Sequence, residues 1–330
     1  MRSNVAFVLV TTLAGCGGFS GNISDPDAAG PSMDSGGLEP PAHGFQIISP
    51  TVDIDPGADI TYCYYFRTPN TSDLAIKKWA SHMTPGGHHM IVYLTPGKLQ
   101  DTGTLVTLEN KKCGLANIGT VGPVWTYSAQ IPDYQISLPA DDGNGVPVAQ
   151  LVKTGQLGFI QMHYQNATDA VIHAHVELNA YAYDDGMPVT KAEPFVTFNT
   201  QINLPAAPSP QAPTTGMVSG NCNVTSDLKF FVMTTYTHKQ GVHTSVKDGA
   251  TTVFDSTNWE HPGTQHWDKS PYFSFTSGKL TYQCEYLNPN SYQILYGDSA
   301  TTQEMCMAIG YYFPAGDGAG RFCLDSVMLN

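Results

Sequence analysis

The chain has 330 residues, enough for two domains of about 130 to 150 residues instead of one ordinary core. Charged residues make up only 13%, whereas Gly (32), Pro (23) and Tyr (17) are abundant, which excludes an architecture of long salt-bridged helices and favours short strands joined by many turns. A net charge of −13 with no Lys/Arg cluster argues against a nucleic-acid partner and against adsorption to anionic membranes.

The N-terminus reads as an export signal: Arg2, an apolar run over 5–10, then Leu13-Ala14-Gly15-Cys16. This pattern resembles a bacterial lipoprotein signal, in which residues 1–16 end at a lipidated Cys16 and the protein meets the membrane only through acyl chains. A plain secretory signal is the alternative. Either way the chain is exported, to the periplasm or the cell surface. Residues 17–43, rich in Gly, Ser, Asp, Pro and Ala, read as a flexible tether. Setting Cys16 aside from the seven cysteines leaves six: Cys63, Cys113, Cys222, Cys284, Cys306 and Cys323. An even number in an oxidising compartment implies disulfides, with fifteen possible connectivities.

Folded sequence begins near Phe45. Aromatic and β-branched residues predict strands over 45–48 and 60–66, and 74–82 reads as a strand or a short helix. After Pro85-Gly86-Gly87 come His88 and His89, opening an apolar run to Leu94. Adjacent strand residues point to opposite faces, so both histidines serve one metal only if the backbone twists or bulges there. Beyond a loop holding Cys113, strands are expected at 158–164 and 174–183. Asp184-Asp185-Gly186 and the proline-rich 204–213 mark a transition near residue 190. Further strands are predicted at 228–237, 272–275, 280–286, 292–296 and 305–313. The expected fold is all-β, with two tandem antiparallel β-sandwich (jelly-roll) domains over 44–190 and 191–330.

The metal-ligand candidates are His88, His89 and His163 in the first half and His238 and Met305 in the second. Imidazole and thioether suit copper, and the thioether favours its reduced state. Carboxylates do not cluster in a way that would suit calcium or magnesium. The sequence holds no Gly-rich phosphate loop, no His-Glu-x-x-His and no Gly-x-Ser-x-Gly. His173 with His175, His261 and His266 read as surface or turn residues, His82 as a neighbour of the first site or a loop residue, and Glu304 as structural.

His88-His89-Met90, Gln161-Met162-His163-Tyr164, Tyr236-Thr237-His238 and Glu304-Met305-Cys306 follow the order and spacing of the copper motifs in the copper type II, ascorbate-dependent monooxygenases, which include peptidylglycine α-hydroxylating and dopamine β-monooxygenases. The chain resembles that family over roughly residues 45 to 325. The resemblance implies one copper on His88, His89 and His163 for electron transfer and one on His238 and Met305 for oxygen, facing each other across a cleft. It also implies ascorbate or another reductant, molecular oxygen, and hydroxylation of a C–H bond in a small-molecule or peptide substrate. It pairs Cys63 with Cys113, Cys222 with Cys323 and Cys284 with Cys306.

The sequence departs from the family at Tyr236, where a histidine ligand is expected. Residues 236 and 238 share a strand face, so Tyr236 is an additional ligand and catalytic candidate. A phenol, though, must lose a proton with pKa about 10 and then favours oxidised copper. His243, beyond Gly241, is the other replacement ligand to consider. Thr234, Met307 and Ile309 stand where peptide-hydroxylating members carry an arginine, an asparagine and a tyrosine for substrate, which disfavours a peptidylglycine. Besides a variant monooxygenase, a non-catalytic copper-binding or electron-transfer protein and a plain binding module stay open.

Overall fold

Tyr, Phe, Val, Ile and Thr recurring at alternate positions give each segment one apolar face, and such segments pair into sheets. The computed structural model describes residues 37–95, 102–107, 124–297, 299–316 and 320–329, and no α-helix occurs among them. The signal with Cys16, most of the expected tether, and Cys113 lie outside the described residues. The last tether residues, 37–43, lie against the fold: Leu38 is buried, and its backbone carbonyl accepts from Gln46 Nε2 at 2.6 Å. Leu38 is the large apolar residue that distinguishes this end of the tether.

The described strands form six sheets. Two of them build the site. The first, a histidine sheet, runs in the order Leu105–Thr107, Asp59–Arg67, Leu157–Gln165, Gly87–Thr95, Val124–Ala129. The second runs Gln265–His266, Lys229–Tyr236, Met307–Phe313, Glu193–Phe198, Arg321–Leu324, Val327–Met328. A six-stranded sheet centred on Leu74–Met83 and a four-stranded sheet centred on Lys279–Asn288 and Gly241–Asp248 support them. The 74–82 segment is therefore strand, whereas 272–275 contributes only the isolated bridge Phe230 to Phe273.

The all-β expectation holds, but two tandem antiparallel jelly-roll sandwiches are not what the chain forms. Its strands are divided among small sheets, and among the described residues three pairs are parallel: Thr190–Lys191 with Val148–Val152, Glu193–Phe198 with Arg321–Leu324, and Ile294–Tyr296 with Gln303–Glu304. Nor are the cores separate. Phe231, Val232, Tyr311 and Phe313 share one buried cluster with Trp79, Val92 and Ile160. Alternation along a strand reports which face is buried, whereas partner and direction depend on contacts far away in sequence. Each fully buried side chain of the size of Trp79 or Tyr127 stabilises this core by about 2 kcal/mol or more.

Another buried cluster joins the two site sheets. Ile91, Tyr93, Trp125 and Phe159 of the histidine sheet pack with Val196, Phe198, Tyr236, Met307 and Ile309 of the second. Cys222–Cys323 and Cys284–Cys306 are bonded as the resemblance implies. Cys63 is also disulfide-bonded. Disulfides mark an oxidising, exported environment. Among the described residues no helix is long and apolar enough to cross a membrane.

Candidate metal centre

Gly86 adopts φ 91°, and the N–H of Gly87 closes the turn onto Thr84 O at 3.0 Å. A side chain at Gly87 would stand 2.6 Å from Met83 Cβ, so the strand enters the sheet through a passage that only glycine fits. Its neighbour Leu157–Gln165 then pairs His163 with His89 and Tyr164 with Gly87, leaving His88 as the extra residue of a β-bulge. The bulge removes the opposite-face problem of adjacent strand residues. His88 Nδ1 lies 3.3 Å from His89 Nδ1, and His163 Nδ1 lies 3.4 Å from the same atom. One donor atom from each of the three residues falls within 4.8 Å of the others.

That geometry fits one shared ion, because nitrogens each roughly 2 Å from a metal in a near-tetrahedral arrangement sit about 3.3 Å apart. His163 Nε2 donates to Asp59 Oδ1 at 2.5 Å, which leaves the Nδ1 lone pair directed at the cluster. The hydrogen bond to His163 holds the Asp59 carboxyl down at about 2, against an opposing push from burial and with help from Thr301. His88 is lowered by burial and by the neighbouring His163, and His89 well below the ordinary histidine value by burial and the surrounding imidazoles. Neutral imidazole is the form that ligates. On its outer side His88 stacks on Trp259, with ring centres 5.8 Å apart, and its Nε2 is 3.7 Å from Glu260.

The second donor set comes from the end of Lys229–Tyr236 and from the segment before Met307–Phe313. His238 Nδ1 donates to the carbonyl of Gln303 at 2.8 Å, so Nε2 keeps its lone pair. Burial lowers His238 to about 4, although the bond to Gln303 opposes this. Glu304 braces the segment: its carboxylate accepts from the backbone N–H of His238 at 2.9 Å, of Gln240 at 2.7 Å and of Met305 at 3.2 Å. Burial nonetheless raises Glu304 to about 7. Met305 is partly buried, with its carbonyl held by Tyr286 Oη at 2.8 Å beside the Cys284–Cys306 bridge.

His89, His163, Tyr236, His238 and Met305 line one small cavity, of about 30 Å³. The Tyr236 ring stands edge-on between the two sets, 5.6 Å from His89 and 5.5 Å from His238 between ring centres. His243 is elsewhere. A bulge does follow Gly241, yet His243 faces Glu285 at 3.2 Å and Asp255 at 3.9 Å, and it does not line this cavity. His82 and His173 pair with Asp133 and Asp53, both at 2.6 Å, and His175 with Glu177 at 3.3 Å. Of the three substrate positions marked by the resemblance, Met307 lines the cavity, Ile309 is core, and Thr234 donates to Gly263 O at 2.6 Å.

Sequence reasoning missed Asp59, Trp259 and Trp125. Asp59 lies 104 positions from His163 and Trp125 lies in a strand that was not predicted, so no local motif marks them.

No known family model matches this sequence, and no curated protein does. Among solved structures, the major capsid protein P2 of bacteriophage PM2 is similar at 10% identity and a TM-score of 0.30, over 83% of this chain and 100% of that one. The glycosylasparaginase PNGase F of Flavobacterium meningosepticum is similar at 11% identity and a TM-score of 0.29, over 79% of this chain and 94% of that one. At such TM-scores neither likeness carries an argument about this chain.

Proposed function

We propose that the protein is a copper-dependent oxidoreductase of the monooxygenase type, with one copper on His88, His89 and His163 and one on His238 and Met305. The observation that supports this most directly is the bulge at His88, which brings three imidazoles to donor separations of 3.3 and 3.4 Å with Asp59 behind His163. Three imidazoles alone suit several transition metals; the Met305 thioether in the same cavity favours copper. When bound, copper supplies one-electron redox chemistry that, with ascorbate or another reductant and molecular oxygen, hydroxylates a C–H bond of a small-molecule or peptide substrate.

The chain's own residues have defined tasks in this reading. Asp59 orients His163, the Gln303 carbonyl orients His238, and Glu304 holds the backbone around both His238 and Met305. In the same reading the protein is tethered to the bacterial envelope by acyl chains on Cys16. Tyr236 in place of an imidazole favours a second reading, a non-catalytic copper-binding or electron-transfer protein, because it leaves His238 and Met305 without a third soft or borderline donor.

The test is copper content and ascorbate-driven oxygen uptake of the purified protein, His163→Ala and Met305→Ala. Loss of one copper in each variant, with oxygen uptake abolished in Met305→Ala, is expected of the monooxygenase. Copper binding without oxygen uptake in wild type selects the second reading, and a wild-type protein that takes up no copper overturns both.

A further inference from the structure

His88 is the exception among the three clustered imidazoles. His89 and His163 are buried and face each other on paired strands, and His163 is oriented by Asp59. His88 is the extra residue of the bulge: Leu157–Gln165 pairs with His89 and with Gly87 but gives His88 no cross-strand partner. A bulged residue is not aimed by the ladder, and several staggered rotamers are open to its side chain. Yet His88 Nδ1 stands 3.3 Å from His89 Nδ1, where a shared ion needs it. The ring must be held from outside the sheet.

That support comes from the loop between Thr251–Ser256 and Gln265–His266, which belongs to the other half of the chain. Trp259 lies over the His88 ring at 5.8 Å between centres and 21° between planes, an offset stack that blocks rotation toward solvent. Glu260 follows it, with Oε1 3.7 Å from His88 Nε2. A carboxylate on that side favours the tautomer protonated at Nε2 and so leaves the Nδ1 lone pair facing the cluster. An imidazole that binds a cation through Nδ1 takes on part of its charge, which the indole face attracts.

The loop itself is fastened at both ends. Asn258 Oδ1 accepts from the backbone N–H of Glu260 at 3.1 Å and of His261 at 3.0 Å, and Thr234 Oγ1 donates to Gly263 O at 2.6 Å. Between them His261 Nδ1 donates to the carbonyl of Gln130 at 3.2 Å, one residue beyond the strand Val124–Ala129 of the histidine sheet. These bonds keep Trp259 and Glu260 over His88.

We infer that Trp259 and Glu260 are positioning residues for His88: the indole face fixes the ring and the carboxylate fixes the proton on Nε2, so that Nδ1 completes the three-imidazole set. As a statement about a copper ligand this rests on the function proposed above; as a statement about the ring it stands on the bulge and the loop alone. The first donor set is then a product of both halves of the chain, since its third member is held from the second.

The experiment first reads the metal-free protein at about pH 8, where imidazole is neutral, in long-range ¹⁵N–¹H spectra, with the His88 signals assigned by their loss in His88→Gln. The Nε2–H tautomer and an upfield shift of the His88 ring protons under the indole are expected. Trp259→Leu should abolish that shift and Trp259→Phe keep most of it, and Glu260→Gln should lower the share of the Nε2–H tautomer. Copper(II) is then titrated against a chelator in the Met305→Ala background, which leaves the histidine set to be read. Trp259→Leu is expected to weaken binding about tenfold and Glu260→Gln about threefold, with Trp259→Phe within about twofold of the background. A His88 ring that lacks the upfield shift, or copper affinity in Trp259→Leu equal to the background, overturns the inference; the first readout needs no variant at position 259. Failure of the copper reading is distinct. A protein that shows both ring signatures but takes up no copper upholds the placement of His88 and sinks the copper centre, and copper uptake with an unshifted His88 ring does the reverse.

Discussion

His163 and Asp59 meet at 2.5 Å between Nε2 and Oδ1, and the other Asp59 oxygen accepts from Thr301 Oγ1 at 2.8 Å. One carboxylate therefore orients an imidazole of the histidine cluster and, through Thr301, ties that cluster to the loop that leads into Met305. Removing it should act through His163. Asp59→Ala is expected to lower copper affinity at the histidine cluster by about 10- to 100-fold while the fold persists, measured by chelator competition. An affinity within twofold of wild type would show that Asp59 does not set the ring.

Tyr236 stands between His89 and His238 at nearly equal ring distances. Tyr236→His places an imidazole on the face shared with His238 and should tighten copper at the second set by about tenfold or more, since an imidazole needs no deprotonation of a weak acid to ligate. Stoichiometric titration followed by spectroscopy under reducing conditions reads this directly. Unchanged affinity at that set would assign Tyr236 to packing.

The Cys284–Cys306 bridge spans a sequence separation of 22 and ends one residue after Met305. Closing a loop of that length removes unfolded-state entropy worth about 3 kcal/mol. The double variant Cys284→Ser with Cys306→Ser should lose that order of stability in urea denaturation and bind copper more weakly at the second set than at the first. Equal loss at both sets would mean that the bridge acts only on global stability.

Asp248 caps a turn, accepting from the backbone N–H of Thr276 and of Ser277 and from Thr276 Oγ1, each at 2.8 Å. Burial pushes its carboxyl up, but these bonds prevail and hold it at about 2, below the ordinary 3.8. A depressed folded-state value stabilises the protein above the unfolded value and is lost as pH falls through the folded one. Asp248→Asn should therefore be less stable than wild type at pH 6, by roughly 0.5 kcal/mol after solvent screening. The two should converge between pH 4 and 2. A gap that persists at pH 2 would deny the carboxylate this role.

The strands at Asp59–Arg67 and Leu157–Gln165 were legible because their aromatic and β-branched runs leave no competing period. Thr214–Asn223 was not. It pairs residue for residue with Lys279–Asn288, yet its exposed face carries Thr215, Met217, Ser219 and Asn221, and Gly216 and Gly220 occupy inward positions where Leu204 and Tyr282 leave no room for a side chain. The apolar alternation that announces a strand is therefore missing from its sequence. His243 shows the same limit from the other side: the bulge after Gly241 was foreseeable, but its direction depends on Glu285 and Asp255 on two neighbouring strands.

The sequence by itself determined the chemistry available here: all-β segments, paired histidines that need a bulge to act together, and imidazole and thioether donors at His163, His238 and Met305. These are properties of residue type and local backbone geometry. Only the tertiary structure decided that the sheets are small and partly parallel, that Asp59 stands behind His163, and that both donor sets open into one cavity with Tyr236 between them and Trp125 at its wall. Those facts depend on strand pairing across 100 residues and more, which is set by the packing of whole sheet faces, not by any stretch of the chain read alone.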